Sequence, residues 1–342
     1  MKIQNCKKLF ILFLVWLLPY CLTGQDIHFS QFLSSPLNLN PAQTGFFRGS
    51  HRFILNHRNQ WISVSKPYST FSGSFDMQLL KRKFKQDIIG IGIIFNSDRA
   101  GDAGMGTTQG SLSLSYTKSL NRRNNHFISF GLQGGAAQHR FDYTQLNFDN
   151  QYNGDFYEPN RFNGEYFNKT NFFYLDISSG AHWFLQLEDQ LLFNAGISVY
   201  HLNQPSLSYF NNSNVKLNAR LAFYANSEIG LNVNTDIIPS LLVMKQGPYA
   251  ELCFGADLRF INNNSFYYYS AIIVGAFLRN QDAFILKAGL EQQKWKFGLS
   301  YDFNFSDLTP ASKYLGGYEI SISYIVNQSI KRKIKEVPCP IF

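Results

Sequence analysis

A hydrophobic pattern of period two, repeated from one end of the chain to the other, is the strongest constraint on its fold. From Ser111 to Tyr116 the chain reads SLSLSY, so Leu112, Leu114 and Tyr116 share one face of an extended strand and Ser111, Ser113 and Ser115 share the other. After Lys294, the residues Trp295, Phe297, Leu299, Tyr301 and Phe303 alternate with Lys296, Gly298, Ser300, Asp302 and Asn304. The same alternation runs through 71–79, 128–133 and 320–324. A helix would need apolar residues at a period of 3.6, and beyond residue 20 no apolar run reaches the roughly 18 residues a membrane-spanning helix requires.

The polar face separates two all-β architectures. A soluble β-sandwich covers its outside with long charged side chains. Here the polar positions hold Ser, Gly, Asn and Gln with only an occasional charge, and charged residues are 16% of the chain against about 25% in ordinary soluble domains. Small polar residues suit the crowded interior of a barrel, and a face rich in Phe and Leu suits lipid. The expected fold is therefore an all-β, transmembrane antiparallel β-barrel of an outer membrane. Its candidate strands are 50–60, 69–79, 87–97, 107–120, 124–138, 172–185, 190–201, 214–226, 229–239, 248–261, 265–279, 281–291, 293–304 and 316–326, fourteen in all. The count is even, as in bacterial single-chain barrels.

Loop lengths agree. With a periplasmic start, the connections 80–86, 121–123, 186–189, 226–228, 262–264 and 292 lie on the periplasmic side. The connections 66–68, 98–106, 141–171, 202–213, 239–247 and 305–315 lie outside, and apart from a short turn at Asn280 the second set is longer. Short periplasmic turns and long outer loops are the usual asymmetry of such barrels.

The ends lie outside this pattern. Lys2, Lys7 and Lys8 precede the apolar run Leu9 to Leu18, Pro19 breaks it, and Thr23-Gly24 offers small residues before a cut at Gln25, so 1–24 is expected to be a signal peptide. A lipoprotein cut before Cys21 is disfavoured by the bulky Tyr20. The segment 25–49 carries Pro36 and Pro41, which resist strand pairing, and is expected to be periplasmic or lumenal. The barrel proper is 50–326, and 327–342, with Lys331, Arg332, Lys333 and Lys335, is expected to be a basic periplasmic tail. Both termini are thus expected at the periplasmic face.

Catalytic chemistry is poorly represented. The seven histidines are scattered without metal-ligand spacing. His182 and Asp176 share a strand face but no nucleophile motif accompanies them, so they are expected to be lumen polar groups. Gly101, Gly104 and Gly106 read as an outer loop rather than a phosphate cradle, and Asp98 with Asp102 is a sparse calcium set. Asp257 with Arg259, and Lys287 with Glu291, are expected to pair within the lumen or to form a selectivity surface. Cys253, on the polar face of its strand, and Cys339, in the tail, are expected to be free thiols. The expectation is no enzyme, no cofactor and no metal. The net charge of +8 is dispersed, with no basic and aromatic constellation for nucleic acid.

After position 25 the chain reads QDIHFSQFLSSPLNLNPAQTGFFRGSHRFILNHRNQW. Phe29-Ser30-Gln31-Phe32, Pro36, Leu39-Asn40-Pro41-Ala42, Thr44-Gly45 and Arg58-Asn59-Gln60-Trp61 resemble the opening of the PorP/SprF family of the type IX secretion system. Asp98 to Asp102, Gly106 to Gln109 and His201-Leu202-Asn203-Gln204-Pro205 match later elements of the family. So do Lys245 to Pro248 with Glu251, Arg279 with Asp282-Ala283, Gly298 to Asp302 with Ser306-Asp307-Leu308, and Gly317 with Glu319-Ile320-Ser321. The likeness covers nearly the whole chain after 24, and only the terminal VPCPIF departs from it. Gln31, Phe32, Pro36, Asn40, Pro41, Asn59, Gln60 and Trp61 form its sharpest signature.

The resemblance implies a role in type IX secretion, helping export or surface-anchor a partner such as a large gliding-type adhesin. It implies contacts with the secretion machinery, with that secreted protein and with a peptidoglycan-linked periplasmic partner; outer-membrane lipid follows from the barrel. A porin-like or small-solute transporter is the alternative. The loop 141–171 is rich in Phe and Tyr among Asn and Gln, a composition suited to protein binding. Tyr143, Tyr152, Phe156, Tyr157 and Phe162 are its candidate partner-binding residues, unless the loop folds inward as a plug.

Overall fold

The computed structural model describes residues 26–61, 66–79, 87–166, 169–188, 191–209, 214–265, 268–306 and 309–326. Fourteen strands run in order: β1 His51–Gln60, β2 Tyr68–Leu79, β3 Ile88–Arg99, β4 Gly106–Ser119, β5 His126–Arg140, β6 Asn171–Glu188 and β7 Leu191–Tyr200, then β8 Arg220–Asn232, β9 Thr235–Gln246, β10 Tyr249–Asn264, β11 Tyr269–Arg279, β12 Ala283–Gln292, β13 Trp295–Asn304 and β14 Leu315–Val326. Each pairs antiparallel with its sequence neighbours, and β1 closes on β14 from His51↔Val326 to Gln60↔Gly317. Closure leaves no edge strand, the condition for strands to cross hydrocarbon. No helix among the described residues is long and apolar enough to cross a membrane.

The alternation sorts inside from outside as the sequence implies. Leu112 is 63% exposed on the outer wall, and Ser113 beside it is fully buried in the lumen. Around the wall Phe53, Ile93, Phe130, Leu175, Val274 and Leu299 face outward, while Arg52, Asn96, Ser129, Asp176 and Ser300 are buried inward.

One hairpin lies several residues from its expected place. The sequence suggested strands at 214–226 and 229–239 with an outer loop at 239–247. Instead β8 and β9 turn at 233–234, where the Asn232 side chain accepts the Asn234 N–H at 2.8 Å, and the opposite connection is the tight Gly247-Pro248 turn. Pro239 therefore lies inside β9. Its missing N–H costs little, because the β8–β9 ladder is interrupted there, between Asn226↔Ser240 and Ile229↔Ile237. The connection 201–219 becomes correspondingly long. The connections that follow β3, β5, β7 and β13 thus gather at one end, with the described turns at 120–125, 233–234 and 293–294 at the other. The expected turn at 80–86 and the tail 327–342 lie outside the described residues, as do 1–25.

The segment 26–49 fills the barrel. It is a string of single turns, including the helical turn α1 Pro36–Leu39, too short for a helical period to register in sequence. Asp26 sits at the long-loop end, held by His201 at 2.9 Å and Arg220 at 3.0 Å. At the other end Gln78 donates to the carbonyls of Gly45 at 2.8 Å and Phe47 at 2.6 Å, and the Ser50 N–H meets Val326 at 2.9 Å just before β1. The chain therefore passes down its own lumen. Asp26 and Val326 lie at opposite ends, not on one face as the sequence reading placed the termini.

Candidate functional site

The lumen is built to receive this segment. At its upper part Ser30 and Gln31 point their N–H groups at the Glu319 carboxylate, at 2.7 and 3.1 Å. The Ser30 hydroxyl donates to Asp302 at 2.7 Å and accepts from Arg279 at 2.6 Å. Arg279, 2% exposed, also reaches Asp282 at 2.9 Å, Asp302 at 3.2 Å and Glu251 at 3.4 Å. Arg58 completes the cluster, pairing with Asp302 at 3.0 Å and donating to the His28 carbonyl at 2.7 Å. Buried charges are tolerable only when paired and hydrogen-bonded on every side, and here the segment's own backbone supplies part of that coordination.

Lower down, apolar and polar walls share the work. Phe32 and Leu39 pack on an inward cluster of Tyr224, Leu242, Met244, Cys253, Phe277 and Ile285, with Phe32 edge-on to Phe277 at 6.1 Å. This apolar patch departs from the wholly polar lumen that the Ser and Gly positions implied. Opposite it, Asn38 donates to Ser72 at 2.8 Å, and Asn40 donates to the carbonyls of Ala181 at 2.8 Å and Ile197 at 3.1 Å. Thr44 meets Ser113 at 2.6 Å, and the Gly45 N–H donates to Asp76, itself paired with Arg52 at 2.7 Å. Two wall glycines are required by close approach. A methyl at Gly90 would overlap the Thr44 carbonyl, and one at Gly131 would overlap the Pro41–Ala42 backbone.

The signature residues divide between two places. Gln31, Phe32, Pro36, Asn40 and Pro41 are buried in the lumen segment. Asn59, Gln60 and Trp61 lie at the loop end of β1, where Trp61 adopts φ 58°, donates to Gly316 at 2.9 Å and stacks edge-on with Tyr68 at 6.0 Å. The other matched elements, His201, Glu251, Arg279, Asp302 and Glu319, converge on the segment's first residues. Sequence reasoning missed this convergence. Its available signal was that each stands at an inward position of its strand or at a strand end.

The lumen is taken by 26–49, and the base of the loop after β5 is tied to the rim. Its Phe141 N–H donates to Thr170 at 3.0 Å and Asp142 N–H to Ala103 at 2.8 Å, tying the loop base to the connection 100–105. Tyr152, Phe156, Tyr157 and Phe162 are each exposed, Phe162 to 78%, and Tyr152 and Tyr157 pair in a short bridge. Tyr143 is half-buried beside Phe141 at 6.3 Å. Four of the five candidate residues are thus exposed and one is half-buried.

The other candidates resolve into structural contacts. Asp176 meets His201 at 2.9 Å and Gln109 at 3.1 Å rather than His182, whose ring packs against Phe46 at 4.8 Å. Asp98 accepts from Tyr68 and Thr70, Asp102 pairs with Lys66, and the two share no site. Gly101 and Gly104 take positive φ in the 100–105 turn. The expected lumen pairs form across strands rather than along them: Asp257 with Lys287 at 2.8 Å over Gly275, Arg259 with Asp236 at 2.8 Å and Glu228 at 2.7 Å, and Glu291 with Lys296 at 3.0 Å. Rungs are about 5 Å apart across strands, whereas i and i+2 lie nearly 7 Å apart. Among the described residues no three His, Cys, Asp or Glu gather as a metal site. Cys253 is free and buried, and Cys339 lies outside the described residues.

A comparison with protein-family models matches residues 22–324 to the type IX secretion system membrane protein PorP/SprF. The chain belongs to the PorP/SprF family. It is accordingly an outer-membrane component of type IX secretion. A comparison with curated proteins finds no match. Among solved structures, the PorP/SprF barrel is similar to the Ralstonia pickettii toluene transporter TbuX, with a TM-score of 0.50 and 10% identity over 90% of this chain and 96% of that one. It also matches the P. putida toluene transporter TodX, with a TM-score of 0.48 and 10% identity over 85% and 93% of the two chains. At these identities TbuX attests the outer-membrane barrel fold and nothing of its cargo.

Proposed function

We propose that this PorP/SprF protein works as a closed docking barrel of type IX secretion. In this reading it holds a secreted surface protein, such as a large gliding-type adhesin, at its long-loop face and meets the secretion machinery from the short-turn face. The observation that carries the proposal is the lumen, filled by the chain's own residues 26–49 through specific bonds to at least eight strands. A filled barrel favours binding at its ends over conduction through its middle. The long-loop end offers the exposed Tyr152, Phe156, Tyr157 and Phe162. Aromatic side chains of this kind supply contact area at low entropic cost. The opposite end carries the exposed Arg122 and Arg123, a basic surface suited to acidic periplasmic partners, a peptidoglycan-linked one among them.

The test is genetic. Deleting the gene is expected to abolish surface display of one or a few large secreted proteins and to leave small-solute uptake unchanged. Replacing Tyr152, Phe156 and Tyr157 together with Ala is expected to weaken partner binding at least tenfold while the barrel still assembles, since truncated aromatic anchors cost about 2 kcal/mol or more. A tag at Asn150 should be reachable on intact cells, and one at Gln328 only after permeabilisation. Unchanged display of every surface protein, with open-porin conductance from the purified barrel, would replace docking by solute transport.

A further inference from the structure

The outer wall over β3, β4 and β5 is graded in rungs. Ile93, Leu112 and Gly134 are in register, and above them Phe95, Gly110 and Ala136. Next comes a polar rung, Ser97–Thr108–Gln138, and at the long-loop rim a cationic one, Arg99–Gly106–Arg140. Arg99 and Arg140 both point outward and are exposed, two strands or about 10 Å apart, with no side chain between them. Neither has an acidic partner among the described residues, in contrast to the lumen cations Arg52, Arg58, Arg259, Arg279 and Lys287. Inside the lumen the equivalent arrangement, Asp257–Gly275–Lys287, closes over its glycine as an ion pair at 2.8 Å. Outside, two like charges flank Gly106 and leave a cavity of about 600 Å³, bordered by Phe141 and Tyr143. The Asp142 carboxylate at its edge is turned to Thr144, accepting at 3.1 and 2.6 Å.

We propose that this rung is a binding site for the phosphorylated headgroup of a glycolipid of the outer leaflet, its acyl chains lying on the apolar rungs below. The order apolar, polar, cationic repeats the order of acyl chain, sugar and phosphate in such a lipid. Paired guanidinium forks are suited to phosphate oxygens. The assignment rests on the outward orientation of the long-loop end proposed above.

The test uses the full chain in detergent, followed by native mass spectrometry with four probes: diphosphorylated lipid A, the same lipid stripped of phosphate, inorganic phosphate and a glutamate-rich peptide. Diphosphorylated lipid A is expected to be retained at least tenfold better than the stripped lipid. Each of Arg99→Ala and Arg140→Ala is expected to lower that retention about tenfold or more, and the double Lys variant to keep part of it. Both side chains lie outside the lumen, and unheated electrophoretic mobility checks that the variants are folded. Equal retention of the stripped lipid, retention of inorganic phosphate alone, preference for the peptide, or binding undiminished in the double Ala variant would each overturn the site. Reachability of the Asn150 tag tests the orientation separately: a tag hidden on intact cells overturns the outer-leaflet assignment whatever lipid binds in detergent.

Discussion

Arg279→Ala is expected to lower the stability of the barrel by about 3–5 kcal/mol, the cost of removing one partner from a buried charge cluster. Arg279 faces Glu251, Asp282 and Asp302 and donates to Ser30, so its loss leaves buried acid uncompensated and unpins the start of the lumen segment. Arg279→Lys should recover only part of the loss, because an ammonium cannot reproduce the fork that reaches several oxygens at once. Denaturant unfolding of the lipid-reconstituted protein, followed by tryptophan fluorescence, measures the effect. An unchanged midpoint would mean the cluster does not anchor the segment.

Removing residues 28–46 is expected to turn a silent barrel into an ion-conducting one. A closed sheet of about eight strands is filled by its own side chains, and sixteen to eighteen leave an aqueous channel, so fourteen strands enclose space that another element must occupy. The wall facing the segment is narrow-sided, Gly90 and Gly131 having given up their side chains to its backbone. Planar-bilayer recording should therefore show stable open steps for the deletion and none for the full chain. If the deletion does not assemble, Gly131→Leu offers a milder route, displacing the Pro41–Ala42 backbone and exposing the segment to protease. Silence from an assembled deletion barrel, and a protease-resistant segment in the Gly131 variant, would mean that other elements close the lumen.

Most of the barrel was readable because one face of each strand is apolar and the other small and polar; a slip of one residue would reverse every side chain, so the pattern fixes both face and register. Strand β9 evaded this reading. Ile238, Leu242 and Met244 face inward while Leu241 and Val243 face outward, so the stretch has no alternation to follow, and Pro239 mimicked a loop. The lumen segment was legible as a signature but not as a plug, since its single turns carry no period and its bonds run to residues up to 290 positions away. The charged pairs were correctly placed on the inward face, but their partners depend on register across strands, which the sequence does not state. The aromatic loop was legible as composition alone; its exposure follows from the lumen being already full.

Locking the segment in place tests the central claim, that the barrel works while closed. Thr44 and Ser113 bring their hydroxyls to 2.6 Å, so Thr44→Cys with Ser113→Cys, in a background with Cys253 replaced by Ala and Cys339 by Ser, places two thiols within disulfide reach across the segment and the wall. The oxidised, locked barrel is expected to display its secreted surface protein at the wild-type level, within about twofold. Loss of display on oxidation, restored by reductant, would contradict it and make the lumen the route of export.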